Sequence, residues 1–474
     1  MGETMVSPVL FALLRISSRL LSVPTSCWHC VRLRKVNSGN KATRLKVIPR
    51  DQHCISRQNI SDNALKVMSR LRGGDYQAYL VGGAVRDLLL GGHPKDFDVA
   101  TDATPEQVHA LFRNSRIIGR RFRIVHVQFG REIIEVTTFR GHHDSDGEAN
   151  TDKRSSHHSH QSSSGLLLRD NVFGTLEEDA VRRDLTVNAL YYDSKSFEVF
   201  DHVHGLSDLE RRTICIIGDP ATRFREDPVR MLRVVRFAAK LDFKVDPDTA
   251  AAIPECAPLL AEIPAARLFD EFLKLFLGGY AQRTLQLLQE YQLLGYLFPD
   301  SVQHLERDTI AQTLVDTAMR NTDQRIRDDK PVTPAFQLAA LLWPAVADLA
   351  RELRERGEAP MVAIHSASQQ VISQAAQNLS IPKRFSLPMR DIWEFQLRLE
   401  RRGRKAAELV QHRRFRAAYD FLLLREESGE VADGHGAWWT EFQDLPENQQ
   451  LLQISHEKEP RTRRRRKRRR STTS

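Results

Sequence analysis

The most chemically loaded stretch of the chain is Lys95-Asp96-Phe97-Asp98-Val99, which follows Leu80-Val81-Gly82-Gly83-Ala84-Val85-Arg86-Asp87. On a strand, Asp96 and Asp98 point to one face, while Phe97 and Val99 turn into the core. Two carboxylates crowded into a cleft repel each other and require a divalent cation. Mg²⁺ is a hard ion that takes oxygen ligands and shares them with substrate phosphates. Two such ions about 3.5–4 Å apart can activate a hydroxyl and stabilise a leaving pyrophosphate. Gly82 and Gly83, placed after an apolar strand, let the backbone turn tightly and approach a ligand. Backbone N–H groups at the following helix start, near Arg86, can hold phosphate oxygens. An Asp-x-Asp alone occurs in many surface loops; strand, glycine pair, helix and then an acid pair on a strand is far more demanding.

Two further constellations follow. In Glu178-Asp179-Ala180-Val181-Arg182-Arg183-Asp184-Leu185-Thr186-Val187-Asn188, Asp184 and Asn188 are four apart and are expected to share a helix face. An acid and an amide there can hold ribose hydroxyls, and Arg182 and Arg183 can meet phosphate. In Arg225-Glu226-Asp227-Pro228-Val229-Arg230-Met231-Leu232-Arg233, Pro228 suits a first helical turn. That places Asp227 and Arg230 close together, an acceptor and a fixed fork of donors able to read the edge of a base. The plainer alternatives are a charged helix surface and an i,i+3 ion pair.

These residues need elements to position them. Asn63–Leu71 reads as a helix, Ala78–Val81 as a strand, Ala84–Leu90 as a helix and Asp96–Ala100 as a strand. Thr104, Pro105 and Gln107 give a helix start with a capping box. Ile124–Phe129 and Ile133–Phe139 flank Gly130 as a hairpin. Residues 142–165 are rich in Ser, His, Asp and Asn and read as a disordered loop. From Glu177 onward nearly everything reads as helix. The expected fold class is α+β, a small sheet-containing head followed by a mostly α-helical body. The expected divisions are a basic extension (1–50), the head (51–192), a helical nucleotide-recognition and RNA-binding region (193–300), a helical C-terminal RNA-binding domain (301–440) and a disordered Arg-rich tail (441–474).

Charge is distributed unevenly along the 474 residues. The net charge is +9, residues 461–474 alone hold nine Lys and Arg without an acid, and residues 1–50 hold nine against Glu3. The body between these arms is therefore mildly acidic. Basic arms give sequence-independent attraction to a phosphate polymer; the alternative is a solvated tail that aids solubility. Lys383–Arg416 carries eleven Lys and Arg against four acids, with Trp393, Phe395 and Phe415 interleaved. That composition fits a basic surface tracking RNA through Lys383, Arg384, Arg413 and Arg414, or equally a solvated helix face over core aromatics.

No apolar run reaches the about 20 residues of a membrane span. Five scattered cysteines exclude a disulfide framework and fit a reducing, cytoplasmic setting. No GxxxxGK[ST] phosphate loop is present, which argues against a P-loop ATPase. Val6–Leu14 is apolar with its basic residues after it, the reverse of a signal peptide. A transit segment, a surface-binding helix and a mis-assigned start all fit it.

The extended signature LVGGAVRDLLLG…KDFDVAT resembles the polymerase-β-like nucleotidyltransferase superfamily, in the class holding bacterial poly(A) polymerases and tRNA CCA-adding enzymes. The likeness runs on through GRRFRIVHV, EVTTFRGHH, REDPVRMLRVVRFAAKL, IPKR and FRAAYDFLLLR to the Arg-rich end, over roughly residues 47–440, and favours the poly(A) polymerase I family.

The resemblance implies two Mg²⁺ ions on Asp96 and Asp98, with Glu135 on a neighbouring strand as third carboxylate and Asp184 as an essential acid. It implies ATP as substrate, held by Gly82, Gly83, Arg86, Arg183, Asn188, Asp227, Arg230 and Arg233, the EDxxR element acting as a protein template. The implied partners are the 3′ ends of mRNA and other transcripts and the RNA-decay machinery, with Arg463, Arg464, Arg465 and Arg466 of the tail helping to hold RNA. CCA addition is the alternative within the class, and a catalytically silent RNA-binding protein is the alternative outside it.

Overall fold

The computed structural model describes residues 45–119, 123–141, 159–161, 167–170, 172–401, 405–446 and 449–450. They fall into two compact units, one from residues up to Arg230 plus Asp242–Ile253, the other from Met231–Leu241 plus residues from Pro254 onward.

The first unit is built on an eight-stranded mixed sheet. Its strands are β1 (Lys46–Ile48), β2 (Ala78–Val81), β3 (Asp98–Thr101), β4 (Ser115–Ile118), β5 (Ile124–Phe129) and β6 (Glu132–Thr138), with β9 (Leu190–Tyr192) and β10 (Val199–Asp201) added after a separate hairpin of β7 (Ser159–Gln161) and β8 (Leu167–Asp170). The order across the sheet is β1-β10-β9-β2-β3-β6-β5-β4. Only β3 and β6 run parallel. The expected hairpin around Gly130 is present as β5 and β6. Within the stretch expected to be a disordered loop, Ser159–Gln161 is instead paired with Leu167–Asp170; the rest of 142–165, like 1–44 and the tail from 451, lies outside the described residues.

Short helices pin the sheet. They are α1 (Asp62–Gly73), α2 (Gly83–Leu89), α3 (Pro105–Leu111), α4 (Leu176–Arg182), α5 (Gly205–Arg211) and α6 (Pro220–Glu226). The Thr104 and Gln107 capping box forms as expected, and Thr175 with Glu178 makes a second one at α4. Leu80, Val85, Val99, Ala100, Ile134, Tyr191 and Tyr192 are all fully buried in the core beneath.

Helix α7 (Val229–Leu241) is followed by α8 (Pro247–Cys256), α9 (Ala265–Phe276) and α10 (Ala281–Glu290). After them come α11 (Leu294–Leu297), α12 (Pro299–Arg307), α13 (Thr309–Arg327), α14 (Pro334–Glu355), α15 (Pro360–Asn378), α16 (Lys383–Leu399), α17 (Ala406–Val410), α18 (Phe415–Glu427) and α19 (His435–Asp444). Amphipathic spacing explains their packing. In α9, Leu268, Phe269, Phe272, Leu275 and Phe276 recur at three- and four-residue intervals and are all buried.

The expectation that nearly everything after Glu177 is helix passes over β9, β10 and a two-stranded ladder of Thr213–Ile214 with Lys244–Val245. Strands of two or three residues are too short to display an alternation that sequence periodicity can detect. The aromatic residues of Lys383–Arg416 are likewise core, not platform. Trp393 is fully buried and donates to Ala339 O, and Phe395 and Phe415 are about 5% exposed.

Candidate active site

Asp98 opens β3 at the point where β2 ends in the glycine turn. Its Cα partners are Val81 on β2 and Glu135 on β6, and Glu135 is paired in turn with His126 on β5. Residues opposite one another in neighbouring strands share a face, so Asp98, Glu135 and His126 form a row across the sheet. Asp96 sits just before the strand rather than within it, and is exposed, while the buried Phe97 and Val99 keep the expected alternation.

The Asp98 carboxyl is pushed up to about 6, first by burial and then by the negative charges of Glu135 and Asp96, against a lowering influence from Arg183. Glu135 lies 3.3 Å from His126 Nε2. Among the described residues no three His, Cys, Asp or Glu side chains close into a ready-made metal cage. Asp98, Glu135 and Asp96 therefore share an electrostatic field rather than a completed ligand sphere.

Gly82 has φ +75° and ψ −136°, a conformation that side chains oppose. A methyl group at Gly82 would stand 3.8 Å from Arg183 Nη1 and from Asn188 O, and 3.9 Å from Asp98 Oδ2. The turn thus brings the backbone to the place where the acid and the guanidinium converge.

Arg183 is held from behind by residues the sequence reading passed over. Asp179, 6% exposed, accepts from Tyr191 Oη at 2.7 Å and from Arg183 Nε and Nη2 at 3.2 and 3.1 Å. Tyr191, fully buried on β9, also accepts from Arg183 Nε at 2.9 Å and lies under its guanidinium with Cζ 5.3 Å from the ring centroid. Burial alone would weaken the Arg183 cation, but Tyr191 and Asp179 outweigh it and raise its proton affinity.

Arg86 is 1% exposed, and its guanidinium is engaged by Asp87 and Asn188 Oδ1. Asn188 is correspondingly buried, its carbonyl oxygen turned to Arg86. Asp184 and Asn188 do not share a helix face, because α4 ends at Arg182 and a separate 3₁₀ turn covers Thr186–Asn188. Asp184 is half-buried between them, its Oδ1 accepting from the Leu185 N–H.

Arg230 donates to Glu226 Oε2 at 2.7 Å and to Arg223 O at 2.9 Å. The acid holding it is therefore Glu226, one position before Asp227. Asp227 instead ends α6 in extended conformation, and its carbonyl receives the Arg230 N–H. Glu226 also takes Arg223 Nη1 at 2.8 Å, while Arg223 Nη2 donates to the carbonyls of Arg182 and Arg183.

The result is a crowd of guanidinia. Burial first, then Arg140, Arg223 and Arg230, brings Arg182 down to about 10, and burial with Arg230 does the same to Arg223. Neither Arg140, within EVTTFRGHH, nor Arg223 is marked by spacing as part of this cluster, since only folding brings residue 140 to residues 182 and 223. Such a cluster is suited to a multiply charged anion.

Arg233, one turn along α7, has its guanidinium 5.8 Å from the Phe237 ring centroid. Lys383, Arg384 and Arg413 are exposed, whereas Arg414 pairs with Asp391 at 3.3 Å. Arg463, Arg464, Arg465 and Arg466 lie outside the described residues.

Comparison with known proteins agrees with this geometry. Residues 78–215 match the "Poly A polymerase head domain" family, 242–304 the "Probable RNA and SrmB- binding site of polymerase A" and 356–472 the "Polymerase A arginine-rich C-terminus". The chain is 50% identical to the poly(A) polymerase I of Escherichia coli O6:H1 over 429 residues, covering 89% of this chain and 91% of that one. It is 38% identical to the CCA-adding enzyme of Bacillus pumilus over 249 residues, 52% of this chain and 56% of that one. Its fold resembles the crystal structure of the Bacillus stearothermophilus CCA-adding enzyme in complex with CTP, with a TM-score of 0.55, 27% identity and 80% of each chain covered. With half its residues shared along nearly the whole of both chains, this protein belongs to the bacterial poly(A) polymerase I family.

Proposed function

We propose that the chain adds AMP from ATP to RNA 3′ ends without a template, joining the 3′-hydroxyl to the α-phosphate and releasing pyrophosphate. The observation that carries this reading is the convergence at Gly82 of Asp98 and Arg183 beside an arginine cluster. The extent of identity to a poly(A) polymerase I, against a likeness to CCA-adding enzymes over about half the chain, supports open-ended addition.

The oxygen donors Asp98 and Asp96, with Glu135 across the ladder, fit a hard divalent cation. Burial first, and then the charges of Glu135 and Asp96, raise the proton affinity of Asp98, and a cation bound there would offset both. Magnesium, when bound there, supplies Lewis acidity toward the attacking and leaving oxygens. The chain's own residues do the rest. The Gly82-Gly83 turn leaves room for the triphosphate. Arg183, fixed by Asp179 and Tyr191, offers its Nη1 beside Asp98. Arg182, Arg223 and Arg230 offset phosphate charge. Arg86 braces Asn188 from within. Arg230 on Glu226, next to Asp227, is placed to select the base. The regions 193–300 and 301–440 hold RNA, the latter through Lys383, Arg384 and Arg413, aided by the tail.

Incubating purified protein with a generic RNA and each nucleoside triphosphate separately tests the assignment. A long ladder with ATP alone is expected; defined addition to tRNA with CTP and then ATP would make it a CCA-adding enzyme.

A further inference from the structure

Glu135 differs from Asp98 and Asp96 in its reach and its freedom. It is longer by a methylene, and its side chain is 47% exposed. Fixing such a side chain against a cation costs rotamer entropy. A third carboxylate that serves the metal with Asp98 therefore needs a neighbour to hold it.

The register of the sheet supplies that neighbour. Asp98 stands across the β3–β6 ladder from Glu135 on one side, and His126 stands across the β5–β6 ladder on the other. The alternate residues Val125, Val127, Ile134 and Val136 are at most 1% exposed and take the opposite, core face, so Glu135 and His126 are kept on the side of the acid row. A register slip that turned either one away would expose this core.

His126 Nε2 lies 3.3 Å from Glu135 Oε1. The nitrogen is shut from water and makes no aligned hydrogen bond among the described residues. A buried donor left in that state is destabilising, and a small turn of Glu135 is enough to satisfy it. Arg116, the next residue of the row on β4, is exposed and makes no ion pair among the described residues, so Glu135 is not held from there.

We propose that His126 is the positioning residue for Glu135, its Nε2–H donating to Oε1 so that the carboxylate is presented to the cation beside Asp98. Hydrogen bonds from an outer residue orient carboxylate ligands in this way and fix which lone pairs remain for the ion. The inference rests on the reading of Asp98 and Glu135 as metal ligands for nucleotide addition, and gives a role to a residue outside the expected ligand set.

Four variants are compared with the native chain. His126→Phe keeps a ring and removes the donor, and His126→Gln keeps a donor of similar reach. Glu135→Gln and the double variant Glu135→Gln/His126→Phe complete a cycle. Mn²⁺ binding, without RNA or ATP, is followed by the paramagnetic resonance of the free ion, and melting temperatures in EDTA check the fold. In AMP addition, kcat and the KM values for ATP and RNA are measured over a series of Mg²⁺ concentrations.

His126→Phe should weaken Mn²⁺ binding about tenfold, as loss of an outer partner does in metal sites, and Glu135→Gln should do the same. The Mg²⁺ needed for half-maximal kcat should rise in step, while KM for RNA holds within about twofold. His126→Gln should recover most of the metal affinity. In the Glu135→Gln background His126→Phe should add no more than about twofold, because the group it positions is gone.

Unchanged Mn²⁺ affinity in a His126→Phe chain that melts like the native one would overturn the assignment. A further tenfold loss on adding His126→Phe to Glu135→Gln would overturn it too, since the imidazole would then act without the carboxylate. A raised KM for RNA with metal affinity intact would place the orphaned nitrogen on the strand instead. Should His126→Phe melt early, His126→Leu carries the same expectations. Failure of the native chain to add AMP would overturn the proposed function, while the Mn²⁺ titrations still decide the pairing of His126 with Glu135.

Discussion

At the scale of single residues, Asp98 is the group in most tension with its surroundings. In the folded chain its carboxyl keeps its proton up to about pH 6, against 3.8 ordinarily. Between those values the native state binds more protons than the unfolded one, so stability declines as pH rises through the window and the loss is complete above it. Asp98→Asn removes that charge. The variant should melt higher than the native chain at pH 7.5 in EDTA, lose the advantage near pH 4, and show no nucleotide addition at any pH. A fully active Asp98→Asn enzyme would remove Asp98 from the site.

Tyr191→Phe deletes the hydroxyl that joins Asp179 to Arg183. The buried carboxylate then loses a donor, at a cost of about 1–3 kcal/mol, and kcat/KM for ATP should fall about tenfold; unchanged kinetics would reduce the network to a packing device. The acid pair could be read from sequence because its meaning lies in a spacing of two. Asp179 and Tyr191 could not, because their meeting depends on β9 returning beside α4. Glu226 was missed for a subtler reason: at four residues from Arg230 it is as good a helical neighbour as Asp227 at three, and only the break between α6 and α7 decides between them. Arg230→Ala should blur the preference for ATP over other nucleotides in competition assays, and preserved selectivity would sink the template idea.

At the scale of elements, the site depends on one turn. Gly82→Ala places a side chain at φ +75° and ψ −136°, a backbone cost of order 1–3 kcal/mol. A lowered melting temperature together with lost ATP binding is expected; an active, stable variant would show that the turn tolerates another path. The strand, turn and helix carrying it were legible because apolar runs and glycines punctuate them, as were helices with capping boxes such as α3. The three-residue strands β9 and β10 were not, though they supply Tyr191 and join β2 to the edge strand β1. In Lys383–Arg416 the composition showed cations and aromatics but not which way each faced. Packing put Trp393, Phe395 and Phe415 inside and left Lys383, Arg384 and Arg413 outside.

At the scale of the whole molecule, charge is concentrated at the ends of a mildly acidic body. Removing residues 461–474 should weaken RNA binding and flatten its dependence on salt, and an identical slope would return the tail to a solubility role. The crowded arginines of the first unit have a different bearing. Arg140, Arg182, Arg223 and Arg230 crowd one another, with Glu226 shared by Arg223 and Arg230 and with Asp179 and Asp184 acting on Arg140 and Arg223. Any compact polyanion relieves that repulsion, whether or not it is the nucleotide due to react. The enzyme should therefore be slowed by its own released diphosphate, and by sulfate or tripolyphosphate, competitively with ATP and not with RNA. A cell that hydrolyses pyrophosphate promptly would keep this brake off.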